Sequence, residues 1–255
     1  MKVYKAYCFD LDGTVYRGGT AIPEAVTFIQ QLQRQGIEPF LVTNNAKYTQ
    51  AQQRQKVAAM GLDIAEDHIM TSAIATAKYI RTHYPESTVK VIGQDGLVEA
   101  VRQEGLTVVE KEPNIVVQGL SASISYEDIE DVCYDIQNGA LHIATNGDLK
   151  LPKEHGFAPG NGSFVKLVQG VTGIEPLMIG KPEGHMLEII RTQYHFEKEE
   201  MLMIGDNYDT DILAGIHYGI DTLHVDTGVT RQEDVKKMDL QPTYYVKTLQ
   251  DVDCL

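Results

Sequence analysis

The sequence predicts an α/β fold, a doubly wound parallel sheet formed by both ends of the chain around an inserted α/β segment. Two observations point to it. Short apolar runs of strand length alternate with stretches of helical periodicity along most of the chain. Hydrophobic residues make up 43% of the 255 residues, enough to cover a large buried sheet, and no stretch has the composition of a disordered segment.

The first run, Tyr4 to Phe9, ends at Asp10-Leu11-Asp12-Gly13-Thr14. Pro23 suits the first turn of a helix that stops before Gly36. Phe40-Leu41-Val42 is a second strand, ending at Thr43-Asn44-Asn45, and Thr49 is placed to cap a helix that closes near Gly61. A run at Ile69-Met70 leads into a helix after Ser72, and the pattern pauses at Tyr84-Pro85. Val89 to Ile92 resumes it, followed by a helix ending before Gly105 and a strand at Ile115-Val116-Val117. Ser125-Tyr126-Glu127-Asp128 reads as a capping box opening a helix that ends at Gly139. Leu141 to Ala144 follows, and the Gly- and Pro-rich stretch from Pro152 to Gly162 reads as a long loop. Strand-like Leu177-Met178-Ile179 precedes Gly180-Lys181-Pro182 and a helix, and Met201 to Ile204 runs into Gly205-Asp206. Thr222 to Val225 and Tyr244 to Val246 complete the alternation.

The formal charge is −14. Nucleic acid and anionic membrane are therefore poor partners, since each demands a basic face. No apolar stretch approaches the ~20 residues of a membrane helix. The three cysteines, Cys8, Cys133 and Cys254, lack metal-ligand spacing and cannot all pair with one another. With Met1 to Lys5 leading straight into a strand and no apolar signal region, the expected setting is a reducing cytoplasm.

In an open α/β sheet, ligands sit beyond the carboxyl ends of the strands. Four such ends carry polar groups here: Asp10 and Asp12; Thr43, Asn44 and Asn45; Lys181; and Asp206, with Asp209 and Asp211 close behind. Two carboxylates about 4 Å apart repel by roughly 4 kcal/mol at an effective dielectric near 20. A cluster of Asp10, Asp12 and Asp206 needs counter-charge. A hard divalent cation meets the need, and few protein carboxylates with several waters favour Mg²⁺ over Ca²⁺. Lys181 adds a second positive charge. One carboxylate can then attack phosphorus while the other moves the leaving-group proton. Taken singly, each segment also has a plain structural reading, as a solvated turn, a helix cap or an exposed loop. It is their common position at strand ends that raises the chemical reading.

The segments Asp10-Leu11-Asp12-Gly13-Thr14-Val15, Leu41-Val42-Thr43-Asn44-Asn45, Gly180-Lys181-Pro182 and Gly205-Asp206-Asn207-Tyr208-Asp209-Thr210-Asp211-Ile212 resemble, in order, the four motifs of the haloacid dehalogenase (HAD) superfamily. The resemblance spans essentially the whole chain and implies a Rossmann-like core. The gap from Asp12 to Thr43 is too short for a further domain, whereas that from Thr43 to Lys181 holds one. This arrangement is similar to the subfamily with a C2-type α/β cap, typified by NagD-like and p-nitrophenylphosphatase-like phosphatases. The division expected is a catalytic core over 1–80 and 179–255 and a cap over 81–178. Thr145-Asn146-Gly147-Asp148 and Pro159-Gly160-Asn161-Gly162-Ser163 look like parts of that cap.

The resemblance implies phosphomonoester hydrolysis through an aspartyl-phosphate. Asp10 would be nucleophile and metal ligand, and Asp12 the general acid/base, reaching the metal through its backbone carbonyl. Thr43, Asn44 and Lys181 would hold the phosphoryl group. Asp206 would complete the Mg²⁺ site, with Asp211 ordering Lys181 or a metal-bound water. Asn146, Asp148, Lys150 and His155 are candidates for choosing the substrate, a small phosphorylated metabolite such as a sugar phosphate or nucleoside monophosphate. A phosphotransferase or mutase of the same superfamily, and a signalling module phosphorylated on Asp without turnover, are the competing readings. Monomer and homodimer both stay open.

Overall fold

The computed structural model describes residues 1–153 and 155–252; Cys254 lies outside the described residues. The chain divides into two compact units: residues 1–43, 50–70 and 181–255 form one, and residues 44–49 and 71–180 the other.

In unit one, a six-stranded sheet runs Tyr244–Val246, Asp221–Val225, Met201–Gly205, Ala6–Phe9, Phe40–Thr43, Ile69–Thr71. The pairings on both sides of Ala6–Phe9 are parallel, as are those that extend the sheet to Tyr244–Val246. Strand order reverses at Ala6–Phe9, since the chain builds the sheet outward on one side and then on the other. That is the doubly wound pattern, and in such sheets ligands bind beyond the carboxyl end of the strand at the reversal.

Every residue of Ala6–Phe9, Phe40–Thr43 and Met201–Gly205 is buried, which explains why these strands read as continuous apolar runs rather than alternating ones. The helix Pro23–Arg34 covers the sheet with Ala25, Phe28, Ile29 and Leu32, the i, i+3, i+4, i+7 stripe of one helical face. Pro23 occupies its first turn, Arg34 its last, and the chain leaves through Gly36 at φ +76°. Tyr7 and Phe9 meet Phe28 edge-on, with ring centroids 6.2 Å apart in each case.

Unit two is a second parallel sheet of five strands, ordered Leu177–Met178, Leu141–Ala144, Ile115–Gln118, Thr88–Ile92, Thr107–Val108. The expected capping box is present. Ser125 Oγ accepts from the Asp128 N–H at 3.1 Å, and Asp128 accepts from the Ser125 N–H at 2.8 Å, opening helix Tyr126–Gln137. Two features differ from expectation. The stretch from Pro152 is not a long loop: Lys150–Lys153 pairs antiparallel with Gly156–Pro159, and a helix, Asn161–Thr172, starts at once after Gly160. Gly and Pro there close a hairpin and free a helix start, whereas composition alone suggested irregular chain. The expected boundary at residue 81 falls inside helix Ser72–His83, which packs on helix Asp95–Gln103 and clusters whole with unit two. Residues 44–49 join the same unit because Gly96 donates its N–H to the Lys47 carbonyl at 3.0 Å. A Cβ on Gly96 would collide with the carbonyls of Ala46 and Tyr48.

Candidate active site

Register sets the first two carboxylates side by side. Phe9 pairs with Ile204, and the Asp10 N–H donates to the Ile204 carbonyl at 2.8 Å, so Asp10 and Asp206 leave adjacent strands at the same edge. After Gly205 the chain makes a wide π-type turn over Tyr208–Ile212, which carries Asp211 back toward the strand ends. Carboxylate oxygens of Asp10, Asp206 and Asp211 all lie within 4.8 Å of one another. Asp206 and Asp211 are 0% and 1% exposed.

Lys181 is the counter-charge within this group. Its ammonium, on a residue 2% exposed, sits 2.5 Å from Asp10 Oδ1 and 2.8 Å from Asp211 Oδ1, and donates to the Val42 carbonyl at 2.9 Å. Burial alone would lower its pKa, but the Asp10 and Asp211 carboxylates more than reverse this, and it is raised. Asp211 is further fixed by the Asn207 N–H at 3.0 Å and by the Thr210 hydroxyl at 3.1 Å.

One ammonium does not balance three carboxylates. Burial, with the Asp211 charge behind it, holds Asp10 well above the usual carboxylate range and pushes Asp206 up to about 6. Such a buried, oxygen-only, under-neutralised set fits a hard divalent cation. Asp206 is held from two sides: Thr14 Oγ donates to Oδ1 at 2.9 Å, and the Val229 N–H donates to Oδ2 at 2.7 Å. Gly13, at φ +106°, and Gly228 make room for it, since a Cβ at either position would overlap the Asp206 carboxylate. Sequence reading did not single out Thr14, Gly228 or Val229. The only signal for the last two was a Gly in the turn after strand Asp221–Val225.

Asp12 lies apart from this group. It is exposed in the turn after Asp10, and its Oδ1 accepts the Gly18 N–H at 3.2 Å. Thr43, buried, is the last residue of its strand. Arg17 donates from its guanidinium to the Thr227 carbonyl.

The remaining candidates belong to unit two. Asn44 directs its side-chain amide at the Asp148 carboxylate, at 3.3 and 3.4 Å, while its carbonyl accepts from Asn146 Nδ2 at 2.9 Å and Ser72 Oγ at 2.8 Å. Asn161 lies behind them, donating to the Asn146 carbonyl at 2.9 Å and the Gln118 carbonyl at 3.2 Å. Lys150 and His155 are exposed on the hairpin, with the Lys150 ammonium 4.6 Å from the centre of the Phe157 ring. The structure thus brings Asn44, Asn146 and Asp148 together and leaves Lys150 and His155 outside that set.

Comparison with known proteins agrees with this geometry. The family model for haloacid dehalogenase-like hydrolases matches residues 7–107, and one for HAD-hydrolase-like proteins matches residues 178–252. An acid sugar phosphatase of Staphylococcus epidermidis is 43% identical over 250 residues, 98% of this chain and 96% of its own length. The chain belongs to the haloacid dehalogenase-like hydrolases. Within this family it stands in the NagD-like and p-nitrophenylphosphatase-like branch. A 5′-nucleotidase of Bacillus subtilis, YutF, is 40% identical over 98% of this chain and 97% of its own. A crystal structure of a thermostable NPPase from Geobacillus stearothermophilus superposes with a TM-score of 0.94 at 39% identity, covering 100% of both chains. A p-nitrophenyl phosphatase from Archaeoglobus fulgidus gives 0.92 at 30% identity over 98% of both chains. Among the described residues of this HAD-like hydrolase, no helix is long and apolar enough to cross a membrane.

Proposed function

We propose that this chain is a Mg²⁺-dependent phosphatase that hydrolyses small phosphorylated metabolites, sugar phosphates or nucleoside monophosphates, through an aspartyl-phosphate on Asp10. The observation that carries the reading is the buried Asp10–Lys181–Asp211 ion cluster with Asp206 alongside. Names given to the relatives, an acid sugar phosphatase and a 5′-nucleotidase, support the substrate class.

Asp10 Oδ attacks phosphorus, and the bond from phosphorus to the leaving oxygen breaks as Asp12 gives that oxygen a proton. A water then attacks the acyl phosphate and loses a proton to the Asp12 carboxylate, which returns Asp10 free and releases inorganic phosphate. Lys181 keeps one Asp10 oxygen in place and offsets charge on the transferring group. The Thr43 hydroxyl, at its strand end, and Asn44 next to it hold phosphoryl oxygens. Asp10, Asp206 and the Asp12 carbonyl would hold Mg²⁺, which when bound neutralises charge on the nucleophile and on the phosphoryl oxygens. Asp211 stays with Lys181 and the Asn207 N–H, both of which occupy its oxygens. Unit two would act as the cap that judges the leaving group, with Asn146 and Asp148 among its contacts and Lys150 and His155 at its hairpin.

The test is phosphate release from a panel of sugar phosphates and nucleoside monophosphates, with Mg²⁺ and with chelator, for the parent and for Asp10→Asn. Metal-dependent release of one phosphate per alcohol formed is expected, and the variant should fall by at least about 10⁴-fold. Absence of release from every member, or full activity in Asp10→Asn, would overturn the reading. Transfer of the phosphoryl group to an alcohol in place of water would make the protein a phosphotransferase.

A further inference from the structure

The backbone around Asp12 is closed by hydrogen bonds from the Val15 and Tyr16 N–H to the Leu11 carbonyl at 2.8 and 3.0 Å. The hairpin tip that meets the Asp12 carboxyl, by contrast, has little of its own to hold it. The hairpin that follows pairs only Tyr16–Arg17 with Thr20–Ala21, and its turn is Gly18, at φ +58°, and Gly19, neither with anything inside 4 Å of where a Cβ would stand. A hairpin this short does not hold its shape alone. Its base is anchored by buried Tyr16, but the tip, whose Gly18 N–H meets Asp12 Oδ1, projects into solvent.

The tip is tied down by one side chain. Arg17 Nε and a terminal guanidinium nitrogen both donate to the Thr227 carbonyl, at 2.8 and 2.5 Å. Thr227 in turn donates its hydroxyl to the Gly13 carbonyl at 2.6 Å. The contacts form a closed path: Asp12 to Gly18, along the chain to Arg17, across to Thr227, and back to Gly13 beside Asp12. The segment from Gly13 to Arg17, which directly follows Asp12, is thereby fastened at both ends to the same residue. A charged donor forked on one carbonyl is among the stronger hydrogen-bonding arrangements open to an exposed side chain.

We propose that Arg17 and Thr227 are positioning residues for Asp12, a latch that holds its carboxyl where the leaving oxygen departs. The proposal rests on Asp12 being the general acid. Loosening the latch lets the hairpin tip drift, and proton delivery suffers while attack by Asp10 does not. The loss therefore depends on how much the leaving group needs a proton. An aryl oxide departs with little help, whereas an alkoxide does not.

The experiment compares kcat/KM for p-nitrophenyl phosphate with that for the alkyl monophosphate which the parent turns over fastest. Arg17→Ala and Thr227→Val should each lose about tenfold or more on the alkyl ester and less than about threefold on the aryl ester. Arg17→Lys, which keeps a cationic donor, should recover part of the alkyl loss. Since Arg17 is exposed, its replacement should leave the thermal midpoint nearly unchanged. Equal losses on both esters, or none, would overturn the latch. Asp12→Asn runs alongside: if it does not itself discriminate between the esters, Asp12 is not the acid and the latch has nothing to position. If Asp12→Asn discriminates and Arg17→Ala does not, the acid stands and the latch alone falls.

Discussion

The two polar clusters of this chain are built on opposite principles. In unit one, Asp10, Asp206, Asp211 and Lys181 are buried ionisable groups, held by ion pairs and backbone donors at strand ends. In unit two, Asn146 and Asn161 are amides that satisfy backbone carbonyls, and the Asn44 amide meets the carboxylate of Asp148, the charged member. Charge is costly to bury, so the residue types of the first cluster are constrained by the need for counter-charge, which Lys181 meets only in part. An amide network costs less to alter, and a range of residues could shape the same loop. The first cluster suits a fixed reaction, and the second suits a recognition surface that differs from one substrate to another.

The largest expected effect comes from breaking the charge balance. Lys181→Ala leaves Asp10 and Asp211 buried without their cation, which should cost about 3–5 kcal/mol of stability at pH 7 in the absence of metal. Denaturant unfolding of the variant with chelator measures it. A cost below about 1 kcal/mol would mean that the cluster is not held by charge.

Next is a buried neutral group of unit two. His142 is 0% exposed, and its Nε2 meets Gln118 Oε1 at 2.9 Å. Burial pushes its pKa down to about 4, from 6.5. As pH falls from 6.5 to about 4, the unfolded chain takes up a proton that the folded chain refuses, so stability is lost across that window and not above it. The loss should approach about 3 kcal/mol. Urea unfolding between pH 7 and 4 should show this slope in the parent and lack it in His142→Gln.

A smaller effect is expected from Asn161→Ala, which strips a donor from the Asn146 and Gln118 carbonyls. The cost should be about 1–3 kcal/mol. Activity should change through KM for metabolites more than through kcat for p-nitrophenyl phosphate. Asn161 donates to the carbonyl of Asn146, a residue proposed for recognition, and to none of the groups proposed to hold the phosphoryl oxygens. A fall in kcat for both would erase the distinction between the clusters.

The smallest effect is on metal affinity. With Asp206 raised to about 6, Mg²⁺ must displace a proton at lower pH. Below that value, affinity by titration calorimetry should weaken by up to about tenfold per pH unit, or about 1.4 kcal/mol. Affinity that is flat from pH 7 to 5 would argue against Asp206 as a ligand.

This contrast also explains what the sequence made legible. Asp10, Lys181 and Asp206 were readable because all three are charges at the ends of apolar runs, a coincidence of position that the structural reading of any one segment does not explain. Thr14 and the Val229 N–H were not, because a hydroxyl or a backbone amide acquires its role only when two distant segments meet. The same holds for Arg17, whose partner is a carbonyl 210 positions away. Helix Asn161–Thr172 was hidden by Gly160 and Gly162, which read as loop residues. In the structure they allow close approach to the Asp148 and Gly147 carbonyls. Helix Ser72–His83 carries no compositional mark of the unit it joins, because that membership is decided by packing against Asp95–Gln103.

Covalent catalysis by Asp10 requires a phosphoryl group on its carboxylate during turnover. Acid quenching of Mg²⁺-loaded protein during turnover, followed by peptide mass spectrometry, tests it most directly, with Asp12→Asn used to slow hydrolysis of the intermediate. A phosphoryl group on the peptide bearing Asp10, absent from Asp10→Asn, is the result predicted. Turnover with no phosphorylated peptide at any quench time, or a phosphoryl group on a different residue, would contradict it.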